Sequence, residues 1–147
     1  MKKNLFHILM ILFLTIGLGI SASPVAAEGN RTPVTASEIP QCPYHTDCTF
    51  GETTFPGGNL HIRNSIQIYA VSSSSDDRIE GTNTLVVNAN FDADGLGPGW
   101  GTFHNESSIY DGYWEGTWAA MMSEDGYVSR IVGKGHGDFE GLLFQAT

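Results

Sequence analysis

The fold is decided by three short aromatic segments with a glycine set into each: Trp100-Gly101-Thr102-Phe103, Trp114-Glu115-Gly116-Thr117-Trp118 and Phe139-Glu140-Gly141-Leu142-Leu143-Phe144. A turn signal lies between successive segments. Glycine beside large rings permits a strand to bend and lets neighbouring rings approach closely. The pattern therefore predicts a strongly curved antiparallel sheet.

Further strands are predicted on both sides of these segments by alternation of apolar and polar residues. One strand places Leu60, Ile62, Ile66, Ile68 and Ala70 on its apolar face, and the next places Ile79, Gly81, Leu85, Val87, Ala89 and Phe91 there. The remaining strands are predicted at 49–55, 100–104, 112–121, 127–134 and 139–146, with turns between them. We expect an all-β chain: a single antiparallel up-and-down β-barrel of about seven or eight strands.

The N-terminal segment has the pattern of a secretory signal peptide. Lys2 and Lys3 precede an apolar run over 5–20, and Val25-Ala26-Ala27 supplies the small residues of a cleavage site. We predict cleavage after Ala27 and a secreted protein, extracellular or periplasmic, with an uncleaved N-terminal anchor as the alternative. The predicted organisation is a signal peptide over 1–27, a flexible arm over 28–45 and the β-barrel over 46–147.

The charge of the chain excludes some partners. Removing Lys2 and Lys3 with the leader takes the formal net charge from −9 to −11. So acidic a surface argues against binding to nucleic acid or to anionic lipid. We expect the charge to keep a secreted protein soluble.

The cysteines of the chain, Cys42 and Cys48, lie close together. In an exported protein this spacing predicts one disulfide. A metal site with His45 and Asp47 is the alternative, although two thiolates and one histidine would still need a fourth ligand.

The end of the chain resembles a known superfamily. The segment Gly133-Lys134-Gly135-His136-Gly137-Asp138-Phe139-Glu140-Gly141-Leu142 is similar to the closing strands of allene-oxide-cyclase-type barrels, which include the plant dirigent proteins. The preceding glycine-aromatic segments resemble small bacterial members, and the likeness covers about 79–144. It implies a barrel with an apolar cavity. The plant cyclase's catalytic glutamate, and its proline, asparagine and serine that hold a water, are not carried over to positions in this chain.

The candidate ligand-binding residues are the tryptophans Trp100, Trp114 and Trp118 together with Phe139. Trp114 and Trp118 share one face of a strand with Gly116 between them, so they could enclose a flat apolar ligand or a sugar ring. The alternative is that Gly116 makes room for a neighbouring core ring.

Glu115 and Glu140 are candidate acids or bases if either points into the barrel. Alternation places Glu115 opposite Trp114 and Trp118, so both hypotheses cannot hold on that strand.

Metal binding has weak candidates. Asn90, Asp92 and Asp94 match the first half of a calcium loop, but Gly101 stands where the bidentate glutamate is expected, and an Asp-Gly hairpin turn explains the segment equally well. Three histidines on separate strands or turns could converge on a metal: His61, His104 and His136. We predict no metal and no cofactor.

The leading functional prediction is a non-enzymatic barrel that binds a small apolar or aromatic molecule. The second is a cyclase- or isomerase-like enzyme with an inward carboxylate, and the third is an interaction module that forms homo-oligomers. No nucleophile elbow, zinc-protease motif or phosphate-binding loop occurs in the chain.

Overall fold

Eight antiparallel strands make up most of the regular structure in the computed structural model, which describes residues 32–73 and 75–147. The strands are β1 (Ala36–Pro40), β2 (Glu52–Thr54), β3 (Leu60–Ser73), β4 (Gly81–Phe91), β5 (Gly97–Ser107), β6 (Gly112–Ser123), β7 (Gly126–Gly137) and β8 (Leu143–Ala146). Single 3-10 turns at Pro56–Gly58 and Asp77–Ile79 connect strands. The predicted signal peptide lies outside the described residues.

The strands form one sheet in the order β1-β3-β4-β5-β6-β7-β8, with β2 beside β1 on the same edge of β3. From β3 onward each strand pairs with the next along the chain, which confirms the predicted all-β, antiparallel, up-and-down topology. The sheet curls into a half-barrel. In the described part of the chain no pairing joins β1 to β8, so these strands are the two edges.

The sheet begins earlier than the sequence predicted. Strand β1 lies within the segment expected to be a flexible arm, and its residues pair with Tyr69 to Ser73 of β3. The loop that follows β1 contains the predicted disulfide between Cys42 and Cys48, which the structure confirms with an S–S distance of 2.00 Å.

The apolar face predicted for β3 is wrong beyond Ile62. The register to β4 shifts between Ile62 and Ser65, and Asn64 adopts a left-handed conformation with φ 53°. Such a bulge inserts one extra residue and exchanges the two faces of the strand. Beyond it Gln67 and Tyr69 are on the inner face and buried, whereas Ala70 on the other face is exposed. Ile68, predicted to be apolar core, is nevertheless buried, at 4% exposure.

The last predicted strand is also shorter than expected. Phe139 to Leu142 form a turn, with the Leu142 amide donating to the Phe139 carbonyl and Gly141 at φ +83°. Strand β8 begins only at Leu143. The third aromatic segment therefore divides between a turn and a strand.

Two apolar clusters fill the inner face of the half-barrel. One is built by Leu60, Ile62, Ala89 and Phe91, and the other by Ile79, Phe103, Trp114 and Phe139. Val34 and Ala36 pack against the second cluster. The chain before β1 thus covers part of the core, and the inner side of β1 faces the interior.

Candidate functional site

Trp114 and Phe139, both predicted to bind ligand, pack against each other in the core. Their rings stack with centroids 5.0 Å apart and planes 16° from parallel. The Trp114 indole N–H donates to the Arg78 carbonyl at 2.8 Å, so its polar atom is satisfied. Phe139 is 1% exposed. These two rings form the floor of the inner face rather than an open gap.

The space over Gly116, between the two indoles of β6, is occupied. A Cβ at Gly116 would lie 2.8 Å from Cε1 of Phe103. The alternative stated for this glycine, that it makes room for a core ring, therefore describes the structure. Trp118 is half-buried on the same face, with its indole N–H 3.3 Å from the Val86 carbonyl. Part of its ring remains accessible.

Trp100 is not brought together with the other tryptophans. It pairs with Ala119 in the sheet and points to the outer face, where the Arg63 guanidinium lies 5.3 Å from its ring centroid. Trp100 is 37% exposed. This cation–π pair belongs to the outer surface of the half-barrel.

Neither glutamate predicted as an acid or base faces the interior. Glu115 lies 3.0 Å from Nε2 of His136 and 3.6 Å from Nζ of Lys134 on the outer face, as alternation predicted. Glu140 is exposed in the turn after β7, 3.9 Å from His136. Both carboxylates are surface groups.

The inward carboxylate is Glu38 of β1. It accepts a hydrogen bond of 2.9 Å from the Asn83 side-chain amide on β4. Burial raises the pKa of Glu38, and the hydrogen bond from Asn83 opposes part of that shift. Burial and, to a smaller extent, the negative charge of Glu38 raise the pKa of Tyr69 and of Tyr127.

A row of buried polar side chains continues from Glu38 across the sheet. Tyr69 pairs with Asn83, Asn83 with Asn105, and Asn105 with Trp114 in the strand registers. The Tyr69 hydroxyl donates to Gln67 Oε1 at 2.6 Å. We call Glu38, Gln67, Tyr69, Asn83 and Asn105 the polar wall. At Trp114 it meets the second apolar cluster, formed by Ile79, Phe103, Trp114 and Phe139 with Trp118 packed against them. We call this the aromatic cluster.

Two oxygens of the polar wall lack donors. The Asn105 amide nitrogen donates to the Ile79 carbonyl at 2.9 Å, and that of Asn83 donates to Glu38. The side-chain oxygens of both asparagines are buried, without a hydrogen-bond donor among the described residues. Buried carbonyls normally accept a hydrogen bond from protein or water, so these two oxygens have acceptor capacity that the described residues do not use.

The calcium-loop candidates form a hairpin turn between β4 and β5. Asp92 Oδ1 accepts from the backbone amides of Asp94 and Leu96, both at 3.0 Å. Asn90 Oδ1 accepts from Arg63 at 2.6 Å. Among residues 32–73 and 75–147, no three histidine, cysteine or acidic side chains are grouped to hold a metal ion.

Two of the three candidate histidines lie on either side of Tyr113 on the outer face. The His104 and His136 rings each lie 4.6 Å from the Tyr113 ring. His61 is on β3 and does not belong to this stack.

Two surface pockets accompany these features. A broad, open depression of about 510 Å³ is lined by Thr32, Ser73, Ser75, Asp76, Asp77 and Arg78. A smaller one of about 40 Å³ lies beside the disulfide and is lined by Cys42, Pro43, Cys48, Thr49, Phe50 and Ile66. Neither is lined by a tryptophan.

Comparison with known proteins gives neither a family nor a function for this chain. No protein-family model matches the chain, and no curated protein and no solved structure matches it significantly. In the described ranges, no helix has the length and apolarity that crossing a membrane requires.

Sequence reasoning missed the polar wall. Glu38 lay in a segment assigned to the arm, and the β3 bulge moved Gln67 and Tyr69 to the inner face. One signal could have found part of the wall: Asn83 and Asn105 lie in phase with the apolar residues of their strands, including Leu85 and Phe103. A polar residue in an apolar register indicates a buried polar group.

Proposed function

We propose that this protein is a secreted small-molecule-binding protein whose half-barrel holds a ligand with an apolar or aromatic body on its inner face. The observation that carries the proposal is the junction of the polar wall with the aromatic cluster, where Asn105 and Trp114 are cross-strand neighbours. Small-molecule sites combine an apolar lining with a few fixed polar groups. Here the unpaired oxygens of Asn83 and Asn105 supply the polar groups.

The ligand site of this proposal is not the gap between Trp114 and Trp118, because Phe103 fills it. Trp118 remains a wall of the site, since part of its indole is accessible on the inner face. The Cys42–Cys48 disulfide supports the secreted location, because such bonds persist in oxidising compartments.

Native mass spectrometry of the protein purified from the organism that makes it tests the proposal. Gentle ionisation is compared with denaturing ionisation of the same sample. We expect a mass excess of a few hundred daltons, on the order of a drug-sized ligand, that disappears on denaturation. A bare protein mass under gentle conditions would contradict ligand binding, and the same spectra report the oligomeric state.

A barrel enzyme of the cyclase or isomerase kind is the second candidate, favoured by the inward carboxylate of Glu38. Because burial raises its pKa, this carboxyl is suited to exchange a proton with a bound substrate. Once a ligand is known, the Glu38→Gln variant separates the two functions. An enzyme would lose conversion of the ligand while still binding it, whereas for a carrier no conversion would be seen in either form.

A further inference from the structure

We propose that the polar wall binds a primary ammonium group, so that the ligand of the half-barrel is a small amine with an aromatic or apolar body. This inference rests on the proposed function, and it adds the chemical class of the ligand.

Three residues with acceptor oxygens are neighbours on this part of the inner face. Asn83 and Asn105 are cross-strand neighbours on β4 and β5, 7% and 6% exposed. Each has its amide nitrogen engaged with the protein, and each leaves its side-chain oxygen without a donor. Glu38 is the third acceptor, held beside Asn83 by its hydrogen bond. The unpartnered atoms of Asn83 and Asn105 are therefore acceptors, which a ligand can satisfy only with hydrogen-bond donors.

An ammonium group matches this set better than a hydroxyl or a calcium ion does. It carries three N–H donors and no acceptor, whereas a hydroxyl carries one donor. Its positive charge compensates the Glu38 carboxylate, which burial disfavours. Arg63, Arg78 and Lys134 have partners elsewhere on the molecule. Arg130 pairs with Ala119, in line with Trp100 on the outer face of the sheet. A calcium ion would need about six to eight oxygen ligands, more than this wall offers.

The aromatic cluster explains why the amine should carry an apolar body. Trp114 is the cross-strand partner of Asn105, and Trp118 lies four residues further along β6 on the same face. A ring attached to the ammonium group by a short chain would lie along these side chains. The accessible part of the Trp118 indole would also attract the cation through its ring face.

The test uses two probes that differ only in their head group: 2-phenylethylammonium and 2-phenylethanol. Their affinities for the mature, disulfide-bonded protein are measured by isothermal titration calorimetry at neutral pH and physiological salt. We expect the ammonium probe to bind at least about tenfold more tightly, a difference of ~1.4 kcal/mol.

Two glutamate variants show where the preference arises. Glu38→Gln should bring the two affinities to within about twofold of each other, because the charge on the wall is gone. Glu115→Gln is the matched control on the outer face, and it should keep the tenfold preference.

Each remaining outcome overturns a distinct statement. Equal binding of both probes to the wild-type protein refutes the ammonium site and leaves the proposed function standing. Binding of neither probe refutes both. A preference that survives Glu38→Gln, or that Glu115→Gln also removes, assigns the effect to the acidic surface and refutes the inference.

Discussion

Replacing Gly133 of β7 with alanine should strongly destabilise the half-barrel. A Cβ there would lie 2.5 Å from Cζ of Phe103 and 2.6 Å from the Glu115 carbonyl oxygen. Phe103 is 6% exposed and packs edge-on against Phe144 at 6.1 Å, so its ring has little freedom to retreat. The carbonyl belongs to the sheet itself and cannot rotate away.

The magnitude follows from two opposing effects. Overpacking a core typically destabilises by ~1–3 kcal/mol, and the rigid contact places Gly133→Ala near the upper end. Alanine also lowers the conformational entropy of the unfolded chain relative to glycine, which stabilises the folded protein by about 0.4–1 kcal/mol. We therefore expect a net loss of ~2 kcal/mol in the free energy of unfolding.

Urea unfolding followed by circular dichroism measures this loss, and Gly99→Ala is the matched control. The nearest atom to a Cβ at Gly99 is Cζ3 of Trp118 at 3.4 Å, an ordinary contact, so that variant should change stability by less than about 0.5 kcal/mol. Combining Gly133→Ala with Phe103→Leu should recover part of the loss as a coupling of about 1 kcal/mol. If Gly133→Ala proved as stable as Gly99→Ala, the packing of rings over glycines would not shape this sheet.

Three further predictions concern the charges and the tryptophans. Glu38→Gln should raise stability near neutral pH. Burial raises the pKa of Glu38 above 4.5 in the folded protein, so the folded state favours the protonated carboxyl. The stability that the protonated carboxyl contributes is complete below pH 4.5 and is lost as the pH rises through the folded pKa. Urea unfolding at a series of pH values should show the free energy of unfolding of the variant rising relative to that of the wild type as the pH increases. A variant less stable than the wild type at neutral pH would contradict a disfavoured charge on Glu38. Asp76→Asn should act in the opposite sense, because the hydrogen bond from Arg78 lowers the pKa of Asp76 below 3.8. Its destabilisation, measured by thermal unfolding, should be full above pH 3.8 and shrink in more acid solution; a constant difference would refute the pairing. Trp118→Ala should weaken binding of 2-phenylethanol by roughly tenfold while Trp100→Ala, on the outer face, leaves it unchanged, as fluorescence or calorimetric titration would report. Unchanged affinity in a folded Trp118→Ala protein would remove Trp118 from the site.

Local patterns were enough to predict the strands from β3 onward and the disulfide. The alternation in β4 placed Val87, Ala89 and Phe91 on the buried face, where they lie. The same rule placed Glu115 outside, opposite the tryptophans of β6. These features depend on neighbours in sequence, which is the information that a period of two carries.

The other members of the polar wall, Glu38, Gln67 and Tyr69, depended on contacts that no local pattern carries. The β3 bulge at Asn64 changes which residues face inward. It depends on a left-handed backbone conformation of Asn64 that the alternating pattern does not predict. Strand β1 is short and exposes Ile39 while turning Glu38 inward, so its pattern is the reverse of the usual one. Whether Gly116 left a gap or held a ring depended on Phe103, thirteen residues away on the neighbouring strand.

We propose above that the inner face of the half-barrel binds a small molecule at the junction of the polar wall and the aromatic cluster. The most direct test is a two-dimensional ¹H–¹⁵N NMR titration of the labelled mature protein with 2-phenylethylammonium. We expect the side-chain amide signals of Asn83 and Asn105 and the indole signal of Trp118 to move together and saturate, while the indole signal of Trp100 stays in place. Saturating shifts confined to Trp100 and the outer face, or no shifts at all, would contradict it.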